Sequence, residues 1–118
     1  LAPENSLAYL NRGLAYSKKG SGSLDFALRD LSEAIRFAPR DPQGYDNRGT
    51  IYGAKGNHQA AVADFTRAID LDHNLASAYR NRGNAYLQLG EQGKARADFE
   101  TALQLEPTQT ANIPPEYR

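Results

Sequence analysis

Apolar and small residues recur along this chain at the spacing of an α-helix. In the first segment, Tyr9, Gly13 and Tyr16 occupy positions i, i+4 and i+7, which share one face of a helix. Residues 27–34 show the same spacing with alanine, leucine and alanine, and Gly20 separates the two segments. The pattern predicts two amphipathic helices joined by a turn.

This two-helix pattern occurs three times. The motif Tyr-x-Asn-Arg-Gly-x-x-Tyr begins at Tyr9, Tyr45 and Tyr79, at intervals of 36 and 34 residues. A second motif, Ala-x-x-Asp-x-x-x-Ala, begins at Ala27, Ala61 and Ala95. We therefore predict one domain at 1–109 that contains three repeats. The predicted bounds are about 6–41, 42–75 and 76–109 for the repeats and 110–118 for a C-terminal tail.

Turn residues predict where the helices end. Gly20, Gly56 and Gly90 follow the first helix of each unit and suit the left-handed conformation that terminates helices. Pro39 and Pro107 follow two of the second helices, which they cannot continue. The first unit departs from the pattern because its turn between the two helices is two residues longer.

These motifs resemble the tetratricopeptide repeat, a helix–turn–helix unit of about 34 residues. The resemblance implies an all-α fold, a right-handed α-solenoid of three antiparallel hairpins whose concave face is lined by the first helices. It also implies a non-catalytic interaction scaffold that binds an extended peptide or a partner protein in the concave groove. Two alternatives stay open: a self-assembly module, and an accessory domain of a larger protein.

Composition narrows the classes of function. The 14 basic residues balance the 14 acidic ones, so no excess positive charge is available to attract nucleic acid or an anionic membrane. No stretch approaches the roughly 20 apolar residues of a membrane span. The chain has no cysteine, and His58 and His73 lack the spacing of a metal-binding motif. We therefore expect no catalytic residue, metal or cofactor, and a protein or peptide as the partner.

The chain begins at Leu1 and contains no methionine. We therefore expect a processed chain or a part of a longer protein. Its compartment is not indicated by any sequence feature.

An arginine on each first helix is predicted to face an aspartate on the second. Arg82 comes eight residues before Gly90 and Asp98 comes eight residues after it, so both lie at the same height in an antiparallel hairpin. Both also lie about 60° to one side of their apolar stripes. The predicted pairs are Arg12–Asp30, Arg48–Asp64 and Arg82–Asp98. We favour structural ion pairs over a line of anion-binding arginines, because each arginine has a carboxylate at hand.

Asn11, Asn47 and Asn81 follow the first tyrosine of their motif by two residues, about 200° around the helix. They form either a solvated polar face or a ladder for an extended peptide, since an amide matches both backbone groups. The predicted groove comprises Asn11, Asn47, Asn81, Leu7, Leu10, Leu14, Gln43, Asp46, Thr50, Ser77, Arg80 and Asn84. One end is apolar and the other polar, where Asp46 and Arg80 are expected to select ligands by charge.

Tetratricopeptide domains that hold the carboxyl-terminal tails of chaperones use a clamp of lysine, asparagine and arginine side chains. At the matching positions this chain has Leu10, Leu14, Asn47, Ser77 and Asn81, of which only Asn47 agrees. We therefore do not expect a chaperone tail as the partner.

The last helix has an outer face, around Phe99, that no further repeat covers. Repeat arrays usually need a cap at such an end, and the prolines at 114–115 oppose a capping helix. We expect Ile113 and Tyr117 to cover this face, or a second copy of the chain to do so in a homo-oligomer.

Overall fold

The computed structural model describes residues 5–108 and 110–118, and Ser21 by its backbone alone. Six α-helices lie within these residues. They are α1 Ser6–Ser17, α2 Leu24–Phe37, α3 Pro42–Ala54, α4 His58–Leu71, α5 Ala76–Gln88 and α6 Gln92–Leu105. Two short 3-10 helices lie at Ser21–Ser23, in the longer first turn, and at Pro115–Tyr117 in the tail.

The helices pair as three hairpins, α1 with α2, α3 with α4 and α5 with α6. α2 and α4 also pack on the first helix of the hairpin that follows them, which confirms the predicted all-α stack. α3 contacts both α1 and α5, whereas no two second helices in the described residues make comparable contact. The first helices of successive hairpins therefore lie closer to each other than the second helices do. This difference curves the stack and places α1, α3 and α5 on its inner, concave face.

The turn residues adopt the conformations that their types favour. Gly20, Gly56 and Gly90 have φ angles of +110°, +84° and +77°, so they terminate the first helices in the left-handed region. Asn57 then caps α4, because its side-chain oxygen accepts a hydrogen bond from the backbone N–H of Ala60 at 3.2 Å. These local preferences set where each hairpin turns.

Within each hairpin, a glycine on the first helix faces a large apolar side chain on the second. A Cβ atom at Gly49 would lie 2.6 Å from Cε1 of Phe65, and one at Gly83 would lie 2.7 Å from Cε1 of Phe99. The first hairpin has the same arrangement, with a leucine as the large residue. Only glycine therefore allows the two helices to approach this closely.

Equivalent clusters of buried residues join each hairpin to the segment that follows it. Each cluster contains the first alanine and the large apolar residue of a second helix, together with one residue from the next segment. The clusters are Ala27 and Leu31 with Ile51, Ala61 and Phe65 with Ala85, and Ala95 and Phe99 with Ile113. The contribution from the next segment is thus isoleucine at the first and last junctions and alanine at the middle one.

The C-terminal tail covers the outer face of α6. Ile113 is 1% exposed and packs on Phe99, and the ring of Tyr117 lies 5.2 Å from the ring of Phe99. The guanidinium of Arg96 lies 4.9 Å from the centre of the Tyr117 ring, and Arg118 Nε donates to the carbonyl oxygen of Ile113 at 2.8 Å. Of the two covers expected from the sequence, the structure shows the chain's own tail.

Replacing Gly49 or Gly83 with alanine should destabilise the protein by about 1–3 kcal/mol, because the added methyl group would overlap the facing phenylalanine ring. Gly53→Ala is the matched control in α3, since a Cβ atom there meets nothing within 4 Å. That change should stabilise the helix by about 0.5–1 kcal/mol. Urea unfolding followed by circular dichroism measures all three, and a Gly83→Ala variant as stable as the wild type would contradict the close contact.

Candidate functional site

The predicted arginine–aspartate pairs are brought together in all three hairpins. In each pair the arginine donates from Nε and Nη2 to the two carboxylate oxygens, over 2.7–2.9 Å. The pairs are Arg12–Asp30, Arg48–Asp64 and Arg82–Asp98. The hydrogen bonds to the carboxylates raise the pKa of each arginine above its ordinary value. This paired geometry fixes the register of the hairpin.

Two of these arginines also reach back to the preceding hairpin. Arg48 Nη1 donates to Ser32 Oγ at 3.3 Å, and Arg82 Nη1 donates to Thr66 Oγ1 at 3.2 Å. The Arg48 and Arg82 side chains are 22% and 18% exposed, against 39% for Arg12. These arginines therefore join three helices each, and they do not form a row of cations open to an anionic ligand.

The predicted ladder asparagines differ in their surroundings. Asn11 is exposed, and Asn47 and Asn81 are half-buried. Asn81 Nδ2 donates to Asp46 Oδ1 at 3.1 Å, whereas no hydrogen bond uses the amides of Asn11 and Asn47 within the described part of the chain. Two of the three amides are therefore available to a ligand, and the third braces α3 against α5.

Asp46 differs from the expectation that it selects ligands by charge. It is 5% exposed and accepts hydrogen bonds from Ser77 Oγ at 2.9 Å and from Asn81. Because neighbouring first helices touch, a side chain on the flank of α3 is covered by α5. Asp46 thus joins two helices beneath the inner face. Burial raises the pKa of its carboxyl, and the hydrogen bonds from Asn81 and Ser77 and the charge of Arg80 oppose this in part.

The two ends of the inner face have the polarity that the sequence indicates. At the first end Leu7 is 62% exposed, and Leu10 and Leu14 are half-buried. Gln43 and Thr50 are exposed on α3. At the other end, Ser77, Arg80 and Asn84 are half-buried, and Arg80 Nη2 donates to Asn81 Oδ1 at 3.3 Å. The surface therefore runs from apolar to polar along the stack.

A cleft of about 400 Å³ opens between α3 and α5. Its floor and walls are apolar or small: Gly49, Gly53, Ala61, Phe65 and Ala85. Its rim is polar: Thr50, His58, Asn81, Asn84 and Gln88. Three of the predicted groove residues lie on this rim, whereas His58, Gln88 and the floor were not predicted. The signal that could have revealed the cleft is Ala85, which occupies the repeat position of Ile51.

Asn84 shows how an amide on this face binds a peptide backbone. Its Nδ2 atom donates to the main-chain carbonyl oxygen of Asn112 in the tail, at 2.8 Å. Asn112 has a φ of +65°, which turns the tail so that Ile113 enters the cluster on α6. The protein's own tail is thus held by one groove residue through its backbone.

Sequence profiles of tetratricopeptide repeats match two overlapping parts of the chain, residues 49–90 and residues 76–109. The chain belongs to the tetratricopeptide repeat family. Human superkiller complex protein 3 is 37% identical over 65 residues, covering 55% of this chain and 4% of that protein. Human tetratricopeptide repeat protein 13 is 36% identical over 72 residues, covering 58% of this chain and 8% of that protein. The chain therefore spans a small part of these relatives.

Several solved structures share the fold over most of the chain. The first domain of Spaghetti (RPAP3), bound to an HSP90 peptide, superposes with a TM-score of 0.87 at 26% identity, covering 95% of this chain and 87% of that chain. The Arabidopsis OM64 domain superposes with a TM-score of 0.87 at 30% identity, covering 92% of this chain and 88% of that chain. MamA matches with a TM-score of 0.84 at 26% identity, covering 90% of this chain and 61% of that chain.

The part of this tetratricopeptide domain that the structure describes contains neither a membrane-spanning helix nor a cluster of metal-binding side chains. None of its helices combines the length and the apolar character needed to cross a lipid bilayer. Its histidine, aspartate and glutamate side chains do not gather in any group of three or more that could hold a metal ion.

Removing one partner of an arginine–aspartate pair should be costly. Asp98→Ala is expected to destabilise the protein by about 3 kcal/mol, because it leaves the guanidinium of Arg82 without its carboxylate in a largely buried place. Glu33→Ala is the control, since Glu33 pairs with Arg36 on the surface of α2, where a pair contributes at most about 1 kcal/mol. Equal losses in urea unfolding would show that the Asp98 pair is no stronger than a surface pair.

Asp46→Asn should stabilise the protein more at neutral pH than at acid pH. The pKa of Asp46 is raised in the folded state, so its contribution to stability is fully present below the unfolded pKa and is lost as pH rises through the folded pKa. Asparagine keeps an oxygen for the donors on α5 but carries no charge to desolvate. The measurement is urea unfolding of both proteins between about pH 4 and pH 7.

Asp70→Asn, at an exposed position on α4, controls for the loss of one carboxylate. A stability difference between Asp46→Asn and wild type that stays constant over this pH range would show that burial does not perturb Asp46.

Proposed function

We propose that this domain is a protein-interaction scaffold that binds an extended peptide segment of a partner along its inner face. The hydrogen bond from Asn84 to the carbonyl oxygen of Asn112 supports this proposal, because a side chain of this face already binds the backbone of a non-helical segment. Tetratricopeptide domains of Spaghetti (RPAP3) and yeast Sti1 were solved with chaperone peptides bound. Those complexes support the proposal because they show that domains of this fold can bind peptides. Members of the family are typically non-catalytic.

The chemistry of the inner face favours a peptide other than a chaperone tail. Leu10 and Leu14 occupy two of the clamp positions, where an apolar side chain offers no hydrogen bond to a carboxylate, and Ser77 is bonded to Asp46. The exposed Leu7 adds to the apolar surface at this end. We infer that the partner segment carries an apolar anchor at one end, and that Asn11 and Asn47 bind its backbone.

Self-assembly through the C-terminal end has less support. The outer face of α6 is covered within the same chain, because Ile113 and Tyr117 pack on Phe99. A second copy would have to displace this tail before it could use the same surface.

The test is a selection of random peptides on the domain, followed by calorimetric titration of the tightest peptide. We expect affinity near micromolar for a groove of this size. Asn47→Ala should weaken it about two- to tenfold through the loss of a backbone hydrogen bond, and Leu7→Ser should weaken it by a similar factor.

Asn74→Ala, at an exposed position in the turn before α5, is the control and should bind like the wild type. All variants must keep their helical signal. Unchanged affinity in both Asn47→Ala and Leu7→Ser would move the binding surface away from the inner face.

A further inference from the structure

The cleft between α3 and α5 exists because two residues of the middle junction are smaller than their counterparts. At the first and last junctions, Ile51 and Ile113 are buried against the alanine and large apolar residue of the preceding hairpin. Ala85 has this place at the middle junction, and its side chain has three carbon atoms fewer than that of isoleucine. Gly53 adds to the space, because Ser17 stands at its repeat position in the first unit and Leu87 in the third, where Leu87 packs in the cluster with Ile113. A Cβ atom at Gly53 would meet nothing within 4 Å.

The lining of the cleft suits an uncharged, apolar side chain. Phe65, Ala61 and Ala85 give an apolar floor, and the rim carries hydroxyl, amide and imidazole groups. The lining residues include no aspartate, glutamate, lysine or arginine, so a charged side chain would lose hydration without any of these four residue types to pair with.

The tail shows which kind of segment fits a pocket of this design. One repeat further along, Ile113 sits against Ala95 and Phe99, and Asn84 on the first helix holds the carbonyl of the preceding residue. The middle cleft has the same alanine and phenylalanine in its floor, and the exposed Thr50 stands at the repeat position of Asn84. In the tail, then, the equivalent place is filled by a branched aliphatic side chain whose neighbouring backbone is held by a residue of the first helix. We expect the same kind of side chain in the middle cleft.

We propose that the cleft is a specificity pocket that takes a branched aliphatic side chain, such as isoleucine, leucine or valine, from the bound peptide. Thr50 and Gln88 at its rim meet the backbone beside that side chain. This proposal rests on the inner face being the peptide-binding surface, and it adds which side chain the peptide must carry.

The absence of cysteine from the chain allows a direct test by disulfide exchange. Gln88→Cys places a single thiol on the rim of the cleft. Ala54→Cys is the matched control, because Ala54 has the same repeat position at the first junction, where Ile51 fills the space. The probes are the symmetric disulfides of N-acetyl amino acids coupled to cysteamine, so that the protein thiolate displaces one probe thiolate as the mixed disulfide forms. Their side chains are those of glycine, alanine, valine, isoleucine, leucine, phenylalanine, aspartate and lysine. Mass spectrometry measures the labelled fraction at equilibrium with 2-mercaptoethanol.

The Gln88→Cys protein should retain the isoleucine, leucine and valine probes with an equilibrium constant about tenfold or more above that of the alanine probe. Aspartate and lysine probes should do no better than glycine. In the Ala54→Cys protein the preference among side chains should stay within about twofold. The proposal would be overturned if Gln88→Cys showed no side-chain preference, if Ala54→Cys showed an equal one, or if phenylalanine were preferred over the aliphatic probes.

Filling the cleft gives an independent check. Ala85→Ile, combined with Gln88→Cys, should abolish the preference while the protein keeps its fold, since isoleucine occupies this place at the first junction. Gly53→Leu, also combined with Gln88→Cys, fills the cleft from α3 instead of α5. It should likewise abolish the preference, and it serves as the test if Ala85→Ile alters the packing. A preference that survives both changes would show that the probes bind elsewhere.

The same filling variants separate the pocket from the groove in which it lies. A selected peptide that loses at least tenfold in affinity on Ala85→Ile supports the pocket, whatever Asn47→Ala does. A peptide that is weakened by Asn47→Ala but binds Ala85→Ile at full strength overturns the pocket and leaves the inner face as the binding surface.

Discussion

The close approach of the two helices within each hairpin depends on glycine facing a flat or branched apolar side chain. At Gly49 and Gly83 the phenylalanine ring occupies the space that any Cβ atom would need. This contact sets the distance between the helices, and the buried alanines of the second helices are small enough to keep it. With the distance fixed, the arginine and aspartate of each hairpin meet at hydrogen-bonding length, so the ion pairs set the register of helices that glycine has already brought together.

The spacing of the hairpins then determines the inner face. Because α3 contacts both α1 and α5, the sides of the first helices that face each other are covered. The sides that face the concave surface remain open. Asp46 lies on a flank and becomes a buried link to α5, whereas Asn47, the next residue, keeps a free amide in the described part of the chain. One step along a helix thus separates a structural residue from a candidate binding residue.

The sequence predicted those features that follow from one helix or one hairpin. The arginine–aspartate pairs needed only the helical period and the count to the turn glycine, and the structure brings all three together. The burial of Asp46 could not be obtained in this way, because it depends on the neighbouring helix. The cleft depends on a difference between repeats, Ala85 where another unit has Ile51, and a search for what the repeats share passes over such differences. The tail's cover of Phe99 was predicted as one of two alternatives, since the apolar face had to be covered but its occupant was not specified.

The backward reach of the arginines makes the two ends of the array unequal. Arg48 and Arg82 each bond to the hairpin before them, so opening either unit also breaks a contact of its neighbour. Arg12 has no preceding hairpin in the described chain, and its side chain is the most exposed of the three. In a linear array, stability is the sum of unit and neighbour terms. Within the described residues, Arg48 and Arg82 contribute to both kinds of term, whereas Arg12 contributes only to its own hairpin. The coupling that these arginines carry therefore has a direction, from each unit to the one before it.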